Sequence, residues 1–430
     1  MPNNPSNSSQ IPNSETISQF QLENGIHVLS YENNNADTVY VIGILTNGGD
    51  QDPPEKTGLA HFTANLLSRG TRNISFNAFH SQIEAAGANL AFSSSSRSTW
   101  FRGKALAEDT RLIFKLAADG LRNPAFQDVY IERLRRQLLA GLALRDQDTG
   151  EIASLLFDKH LFQDHPYALP VDGYMRTINN IDRSDILHFH GSFYSPRDLI
   201  IVVSGAINGE SVNQLAQEYF SDWDQKEQVT PSIHPIPPAP TTTVRDHTFL
   251  EGKSQSDLIL GSFGPSRTSE DYMPAVIGNN ILGQFGLMGR IGRSVRTESG
   301  LAYFASSSVS SWDDAGTWDV SAGVNPINMG KAINLIREEI KKFTIENVTS
   351  EELCNTKSHL IGRMPMALET NAGIANAILT MHRFDLGLDY YLEYEDRINA
   401  VTPESIRLTA QKYLHPDQLV ITSAGPDEES

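Results

Sequence analysis

The sequence predicts an α+β fold made of two homologous α/β domains, each a mixed sheet with helices on one face. Three observations predict it: a length of 430 residues, a proline-rich segment near the middle, and two similar segments 220 residues apart. Single hydrophobic cores stop growing well below this length, so two domains of about 200 residues are expected. Apolar residues make up 39% of the chain and charged residues 20%, which suffices for two cores.

The proline-rich segment sets the predicted domain boundaries. Prolines interrupt helices and central strands, and they recur here at Pro231, Pro235, Pro237, Pro238 and Pro240. We therefore predict a first domain at 17–229, a linker at 230–246 and a second domain at 247–430. Residues 1–16, rich in Asn, Ser and Pro, are predicted to be a disordered tail.

The two similar segments are residues 193–205 and 413–425. Each begins with a proline turn and continues as a β-branched strand that ends at a glycine, Gly205 or Gly425. Ahead of them, residues 181–185 and 401–405 both place capping residues before a helical stretch. The shared offset favours a duplicated domain over chance similarity.

Hydrophobic patterns predict the main elements within the first half. Residues 38–45 and 98–105 are typical of strands. Apolar residues recur at helical spacing over 112–121 and 131–144, which predicts two helices. This mixture of strands and helix pairs indicates sheets with helices packed against them.

Charge and cysteine content exclude several classes of function. A formal charge of −18 works against binding nucleic acid or anionic lipid, although solubility alone is an equally good explanation of it. Cys354 is the single cysteine, so neither an intrachain disulfide nor a cysteine metal cluster can form. No apolar run reaches the roughly 18 residues that cross a bilayer, and no signal peptide is recognisable at the start. We expect a cytoplasmic protein, or a periplasmic one if a signal has been removed.

Residues 57–71 carry the most informative motif. Leu59, Phe62, Leu66 and Leu67 form the apolar stripe of a helix, which also carries His61. The segment resembles the zinc-binding segment of the M16 metallopeptidases, the family of pitrilysin, insulin-degrading enzyme and mitochondrial processing peptidase. In that motif, His-x-x-Glu-His, two histidines four apart bind one cation and the Glu acts as general base. The resemblance implies a duplicated LuxS/MPP-like fold and extends over about residues 17–425.

The resemblance also shows where the metal chemistry is lost. His61 matches the first ligand, but Ala64 stands in place of the general base and Asn65 in place of the second histidine. The position of the third ligand, a glutamate in the family, falls at Gly141. One imidazole and one amide do not hold zinc tightly. We therefore expect no cofactor in this chain, with His61 as a remnant that makes an ordinary hydrogen bond.

Residues 290–303 resemble the segment of M16 enzymes that supplies an Arg/Tyr pair, here Arg296 and Tyr303. The resemblance implies that both side chains bind the carbonyl oxygens of a substrate and stabilise the oxyanion, a task for which both are suitable donors. The alternative is structural, with Arg296 capping a helix near Gly300 and Tyr303 beginning a strand that runs to Ser311. Residues 306–311 could also pair with an extended peptide.

Three further sets of residues are open to a functional and a plainer interpretation. His160 and His165 could bind metal, but the M16-like loop at 161–173 accounts for them. The glycine-rich residues 282–289 could hold phosphate, but they lack the lysine of nucleotide sites, and the resemblance makes them line a peptide chamber. His80 and Glu84 could form a new active site, although such a pair is more often a solvated helix contact.

Together these observations predict a non-catalytic, substrate-binding subunit of a heterodimeric zinc metallopeptidase. The resemblance implies a homologous partner chain with an intact His-x-x-Glu-His motif and bound zinc, to which this chain adds Arg296, Tyr303 and half of the chamber for peptides. The chain alone is expected to be inactive. The alternative is a structural or assembly core subunit with no role in proteolysis.

Overall fold

The computed structural model describes residues 11–224, 234–284 and 289–427. The strands in chain order are β1 (Ile17–Gln21), β2 (His27–Glu32), β3 (Thr38–Leu45), β4 (Asn89–Ser94), β5 (Thr99–Leu106), β6 (Leu199–Gly205), β7 (Val244–Phe249), β8 (Ser256–Gly264), β9 (Ala302–Ser311), β10 (Gly316–Val324) and β11 (Val420–Gly425).

The α-helices vary from six to eighteen residues in length. In chain order they are α1 (Leu59–Leu66), α2 (Phe76–Ala85), α3 (Thr110–Arg122), α4 (Asp128–Arg145), α5 (Thr149–Phe162), α6 (Met175–Asn180), α7 (Arg183–Phe193), α8 (Gly209–Phe220), α9 (Tyr272–Asn279), α10 (Met329–Ile345), α11 (Ser350–Ala367), α12 (Asn371–Arg383), α13 (Tyr394–Ala400) and α14 (Pro403–Tyr413). A wider helical segment, Gly292–Glu298, precedes β9.

The strands form two sheets with the same topology. The first has the order β1-β2-β6-β3-β5-β4 and the second β7-β11-β8-β10-β9. In each sheet one pair is parallel, β2 with β6 and β7 with β11, and the other pairs are antiparallel. Without β1, the two orders and directions match strand for strand. The predicted α+β class with two homologous mixed sheets is therefore confirmed.

Local signals explain why the duplicated segments fold alike. Asp182 and Thr402 each accept a hydrogen bond from the third residue of the following helix and complete a capping box, as the sequence predicts. Gly205 and Gly425 end their strands with φ of +147° and +143°. A Cβ at Gly205 would lie 2.2 Å from the carbonyl oxygen of Thr38, so glycine is required there.

The first compact unit contains residues 11–142, 170–224 and 364–392. Its main core lies between helices and one face of the sheet, where Val39, Val41 and Leu45 of β3 point. Ile42 and Ile44 on the other face are buried as well. Helix α12 covers this second face across β2, β3 and β6, and Asn371 at its start donates to the carbonyl of Thr38 (2.9 Å).

The second compact unit contains residues 143–169, 234–363 and 393–427. Leu258 and Leu260 of β8 face its larger core, whereas Ile259 and Phe263 face a smaller one. The smaller core is formed with α5, which lies across β7, β8 and β11. Thr422 of β11 donates to the carbonyl of Ala153 in this helix (2.8 Å).

Each unit thus includes a helix from the opposite half of the sequence. Residues 143–169 and 364–392 occupy corresponding positions in the duplication, which makes the exchange reciprocal. Helices therefore cover both faces of each sheet, not only the one face that the sequence predicts. The reason is that the central strands are apolar on both sides, and each face must be buried.

Besides this exchange of internal segments, the structure differs from the predicted domain limits at their ends. Residues 13–16, assigned to the tail, form a turn in which the side chain of Asn13 accepts from Glu15 N (2.9 Å), while residues 1–10 lie outside the described residues. Residues 230–233 of the predicted linker also lie outside them. The last three linker residues already belong to β7. No helix in the described part of the chain is long and apolar enough to cross a membrane.

Candidate functional site

Helix α1, which carries the motif histidine, is held at its N-terminus by Asp52. The helix follows Gly58, whose φ of +99° suits glycine and leaves no capping side chain. Asp52 supplies the cap from a distance: its two carboxylate oxygens accept from Gly58 N (2.7 Å) and Ala60 N (2.8 Å). Burial raises the pKa of Asp52 to about 7, against the lowering effect of these backbone donors.

The side chains of His61 and Asn65 bind each other on one face of α1. Asn65 Nδ2 lies 3.2 Å from His61 Nε2 and also donates to the carbonyl oxygen of His61 (2.8 Å). Because an amide nitrogen only donates, His61 Nε2 is the acceptor. Burial lowers the pKa of His61, which keeps the imidazole neutral near pH 7. Ala64, between them, is completely buried.

The residues at the three other motif positions do not fit a zinc ion. Gly141 lies exposed on α4, and a Cβ placed there would meet no atom within 4 Å. Ala64 has no ligand atom, and the amide of Asn65 uses its nitrogen on His61. Across residues 11–224, 234–284 and 289–427, no group of three or more His, Cys, Asp or Glu side chains could hold a metal. Zinc sites need three or four strong ligands, and this helix offers one imidazole.

Arg296 and Tyr303 lie at the two ends of a tight connection between the helical segment Gly292–Glu298 and strand β9. Gly300, with φ of +61°, makes the turn between them. Both side chains are exposed, Tyr303 to 59%. Neither makes a hydrogen bond or ion pair with another described residue. Their donors are therefore available to a ligand.

The alternative, purely structural roles for Arg296 and Tyr303 agree with the structure only in part. Tyr303 does begin a strand, and β9 ends at Ser311 as expected. The Arg296 guanidinium, however, donates to no helix carbonyl among the described residues; only its own carbonyl accepts, from Gly300 N (3.1 Å). Among the described strands, β9 pairs only with β10 and ends the order of the second sheet, so it is an edge strand.

The other histidines raised by the sequence have structural partners. His160 Nε2 lies 2.7 Å from Asp246 Oδ2, and His165 Nδ1 accepts from Tyr167 N (3.1 Å). His80 packs against the ring of Phe76 at 4.5 Å between centroids, and Glu84 on the same helix is exposed. The His80 ring thus contacts an aromatic neighbour on its own helix, and the functional interpretations of these residues remain predictions.

The glycine-rich segment is described at its two ends. Residues 285–288 lie outside the described residues. A Cβ placed on Gly289 would come within 2.7 Å of the Gly283 Cα, so the ends approach each other closely. This approach requires glycine and gives no indication of a phosphate site.

A pair of partly buried carboxyl groups was not predicted from the sequence. Burial, together with the charge of nearby Asp319 on β10, raises the pKa of Asp158 on α5 to about 7. Burial likewise raises the pKa of Asp319 to about 6, although Ser308 donates to its carboxylate (2.9 Å). Asp158 approaches Asp319 only because α5 docks on the second sheet, and no local pattern encodes that docking.

The fold and the site define a duplicated α+β chain in which helix α1 presents one imidazole, His61, hydrogen-bonded to Asn65. Two family models match it: "Insulinase (Peptidase family M16)" over residues 27–173 and "Peptidase M16 inactive domain" over residues 180–360. Together they cover most of the sequence. The chain belongs to the M16 peptidase family.

Individual relatives agree with this assignment over nearly the whole chain. An uncharacterized zinc protease of Streptomyces coelicolor is 27% identical over 381 residues, covering 86% of this chain and 82% of the relative. The mitochondrial-processing peptidase subunit beta of Lentinula edodes is 23% identical, with coverage of 94% and 89%. A solved structure, the peptidase M16 inactive domain from Pseudomonas fluorescens, is 25% identical with a TM-score of 0.88, covering 95% and 98%.

Proposed function

We propose that this chain is a non-catalytic subunit of a heterodimeric M16 zinc metallopeptidase and holds the peptide for a zinc-bearing partner. The main support for the proposal is the set of possible metal ligands on helix α1. In a family whose relatives include chains named zinc proteases, this helix offers a single imidazole, already bound to Asn65, and no second ligand. A chain with this helix needs a homologous partner for hydrolysis.

The role of this chain is substrate binding through Arg296 and Tyr303. The guanidinium stays charged at all relevant pH values, and the phenol can donate to a carbonyl oxygen whose negative charge grows during attack. Both groups are exposed and have no partner among the described residues, so binding a peptide costs no internal contact. The adjacent edge strand β9 offers backbone groups to an extended peptide.

The test is reconstitution with the partner, obtained by co-purification from the native host and identified as a chain with an intact His-x-x-Glu-His motif. Arg296→Ala and Tyr303→Phe in this chain should each lower kcat/KM of the pair by about 10²-fold, as the loss of one oxyanion donor does elsewhere. Arg293→Ala is the matched control, because Arg293 is an exposed arginine on the same helical segment. It should leave kcat/KM unchanged.

The alternative is an assembly subunit without a role in proteolysis, as the match to a subunit of a processing peptidase allows. In that case the Arg296 and Tyr303 variants would assemble with the partner and retain full activity. If these variants and the Arg293 control had equal activity, the substrate-binding role would be rejected and the scaffold role would be favoured.

A further inference from the structure

Two arginines, Arg69 after α1 and Arg133 on α4, lie close to the helix that carries His61 or to its neighbour. Arg69 follows α1, and its Nη2 donates to Oε1 of Gln137 on α4 (3.0 Å) while its Nε donates to the carbonyl of Asn65 (3.3 Å). Arg133 lies one helical turn before Gln137 on the same face of α4. Gln137 thus contacts Arg69 and lies one helical turn from Arg133, and all three residues belong to the first compact unit.

Neutral groups, not carboxylates, position both guanidinium groups. Arg69 is fixed by an amide and a backbone carbonyl, and the Arg133 guanidinium lies over the ring of Phe76, 5.9 Å from its centroid. Phe76 in turn packs on Tyr130 at 5.0 Å between centroids. Among the described residues, neither guanidinium forms an ion pair.

The chain has 52 acidic and 34 basic residues, so carboxylates outnumber the cations with which they could pair. Many of its other arginines are neutralised by a nearby carboxylate, and these pairs include Arg111–Glu218, Arg122–Asp222, Arg290–Glu352 and Arg337–Asp417. Burial and the charge of Arg133 both lower the pKa of Arg69, as expected for two positive charges that lie near each other. An anion between them would relieve this repulsion.

We propose that Arg69, Arg133 and Gln137 form a binding site for a peptide carboxylate. A carboxylate accepts paired N–H donors from arginine, and the amide nitrogen of Gln137 supplies a further donor beside them. Space is available, because Gln137 and Arg133 are exposed and Gly141, one turn further along α4, has no neighbour near its missing side chain. The surface around the lost metal motif has become an anion site.

This site would serve an assembly subunit as well as a peptidase subunit, so it does not depend on the proposed function. It lies in the first unit, whereas Arg296 and Tyr303 lie in the second. It selects for peptides with acidic side chains or a free terminal carboxylate, and it should weaken with added salt, which screens exposed charges.

The experiment measures binding of fluorescent peptides to the full chain by anisotropy at low ionic strength. An oligoglutamate peptide with an amidated end tests side-chain carboxylates, oligoglutamine with a free end tests the terminal carboxylate, and amidated oligoglutamine is the neutral reference. We expect one or both carboxylate peptides to bind in preference to the reference. Arg133→Gln should weaken that binding about tenfold, and the double variant with Arg69→Gln should weaken it further.

The control for charge is Arg111→Gln, which removes one positive charge from an exposed arginine on α3 and should not alter peptide binding. Arg133→Gln is the decisive variant because, within the part of the chain that the structure describes, the Arg133 side chain makes only an aromatic contact, so its loss should leave the unfolding transition in place. Equal affinity of Arg133→Gln and the unaltered chain for the carboxylate peptides would overturn the proposal. Failure of the chain to distinguish these peptides from amidated oligoglutamine would overturn it too.

Discussion

The polar side chains of His61 and Asn65 are hydrogen-bonded to each other within helix α1 itself. Asn65 fills the second histidine position and satisfies His61 by a hydrogen bond. Ala64 is completely buried, a place where a carboxylate without a metal beside it would be costly. The resulting surface is stable without an ion, because its polar atoms bind one another.

A second residue-scale feature is the pH dependence that the Asp158 carboxyl introduces. Its pKa in the folded chain is about 7, above its ordinary value of 3.8, so folding favours the protonated form. The stabilisation is fully present below about pH 4 and is lost as the pH rises toward 7. As the pH rises from about 4 to about 7, this carboxyl therefore decreases the free energy of unfolding by up to about 1.4 kcal/mol for each pH unit.

We predict that Asp158→Asn stabilises the chain more at about pH 8 than at about pH 5, because the amide carries no charge to desolvate. Denaturant unfolding at the two pH values measures this difference. Asp164→Asn makes the same charge change at an exposed position and should show no pH-dependent gain. If Asp158→Asn raised the free energy of unfolding equally at both pH values, the raised pKa of Asp158 would be contradicted.

At the scale of elements, the glycine that ends each duplicated strand is a conformational requirement. Gly205 has φ of +147° and faces the carbonyl of Thr38 at close range. We predict that Gly205→Ala lowers the free energy of unfolding by more than about 1 kcal/mol. Chemical denaturation gives the value.

The comparison for this variant is Gly362→Ala. Gly362 lies exposed within α11, and a Cβ there would meet nothing within 4 Å. Because alanine favours helix, this change should be neutral or stabilising by up to about 1 kcal/mol. If Gly205→Ala were as stable as Gly362→Ala, the strand end would tolerate a side chain and the argument from backbone geometry would fail.

Elements with local signals were predictable from the sequence. Strand β3 begins and ends at the predicted residues, and the capping residues ahead of α7 and α14 act as expected. These features depend on residues within a few positions of one another. The placement of α5 and α12 was not predictable, because it depends on contacts between residues far apart in the chain.

At the scale of the whole molecule, the reciprocal placement of α5 and α12, each in the unit formed mostly by the other half of the sequence, has a measurable consequence. We predict that Ile378→Ala in α12, which is completely buried, costs about 2–5 kcal/mol. Hydrogen exchange should become faster in β2, β3 and β6 of the first unit, since α12 covers these strands. The substitution would thus loosen the unit formed mostly by the other half of the sequence.

Phe157→Ala in α5 is the reciprocal variant. Phe157 belongs to the small core with Ile259 and Val420, so exchange should increase in β8 and β11 of the second unit. The two variants control each other, because each should leave the other sheet protected. If either variant instead sped up hydrogen exchange in the unit formed mostly by its own half of the sequence, the reciprocal placement of α5 and α12 would be contradicted.

The candidate site was predictable to the extent that it follows a family motif. The positions of His61, Ala64, Asn65, Arg296 and Tyr303 came from resemblance to M16 sequences, and the structure adds their contacts and exposure. The arginine pair and the Asp158–Asp319 pair gave no such signal. Their properties come from burial and missing counter-charges, which a sequence does not display.

The measurement that tests the central claim most directly is the zinc content of the isolated chain after equilibrium dialysis against the metal, with His61→Ala in parallel. We expect well below one bound zinc per chain, with no difference between the unaltered chain and the variant, because a single imidazole bound to Asn65 does not retain the ion. One tightly bound zinc that disappears with His61→Ala would contradict it.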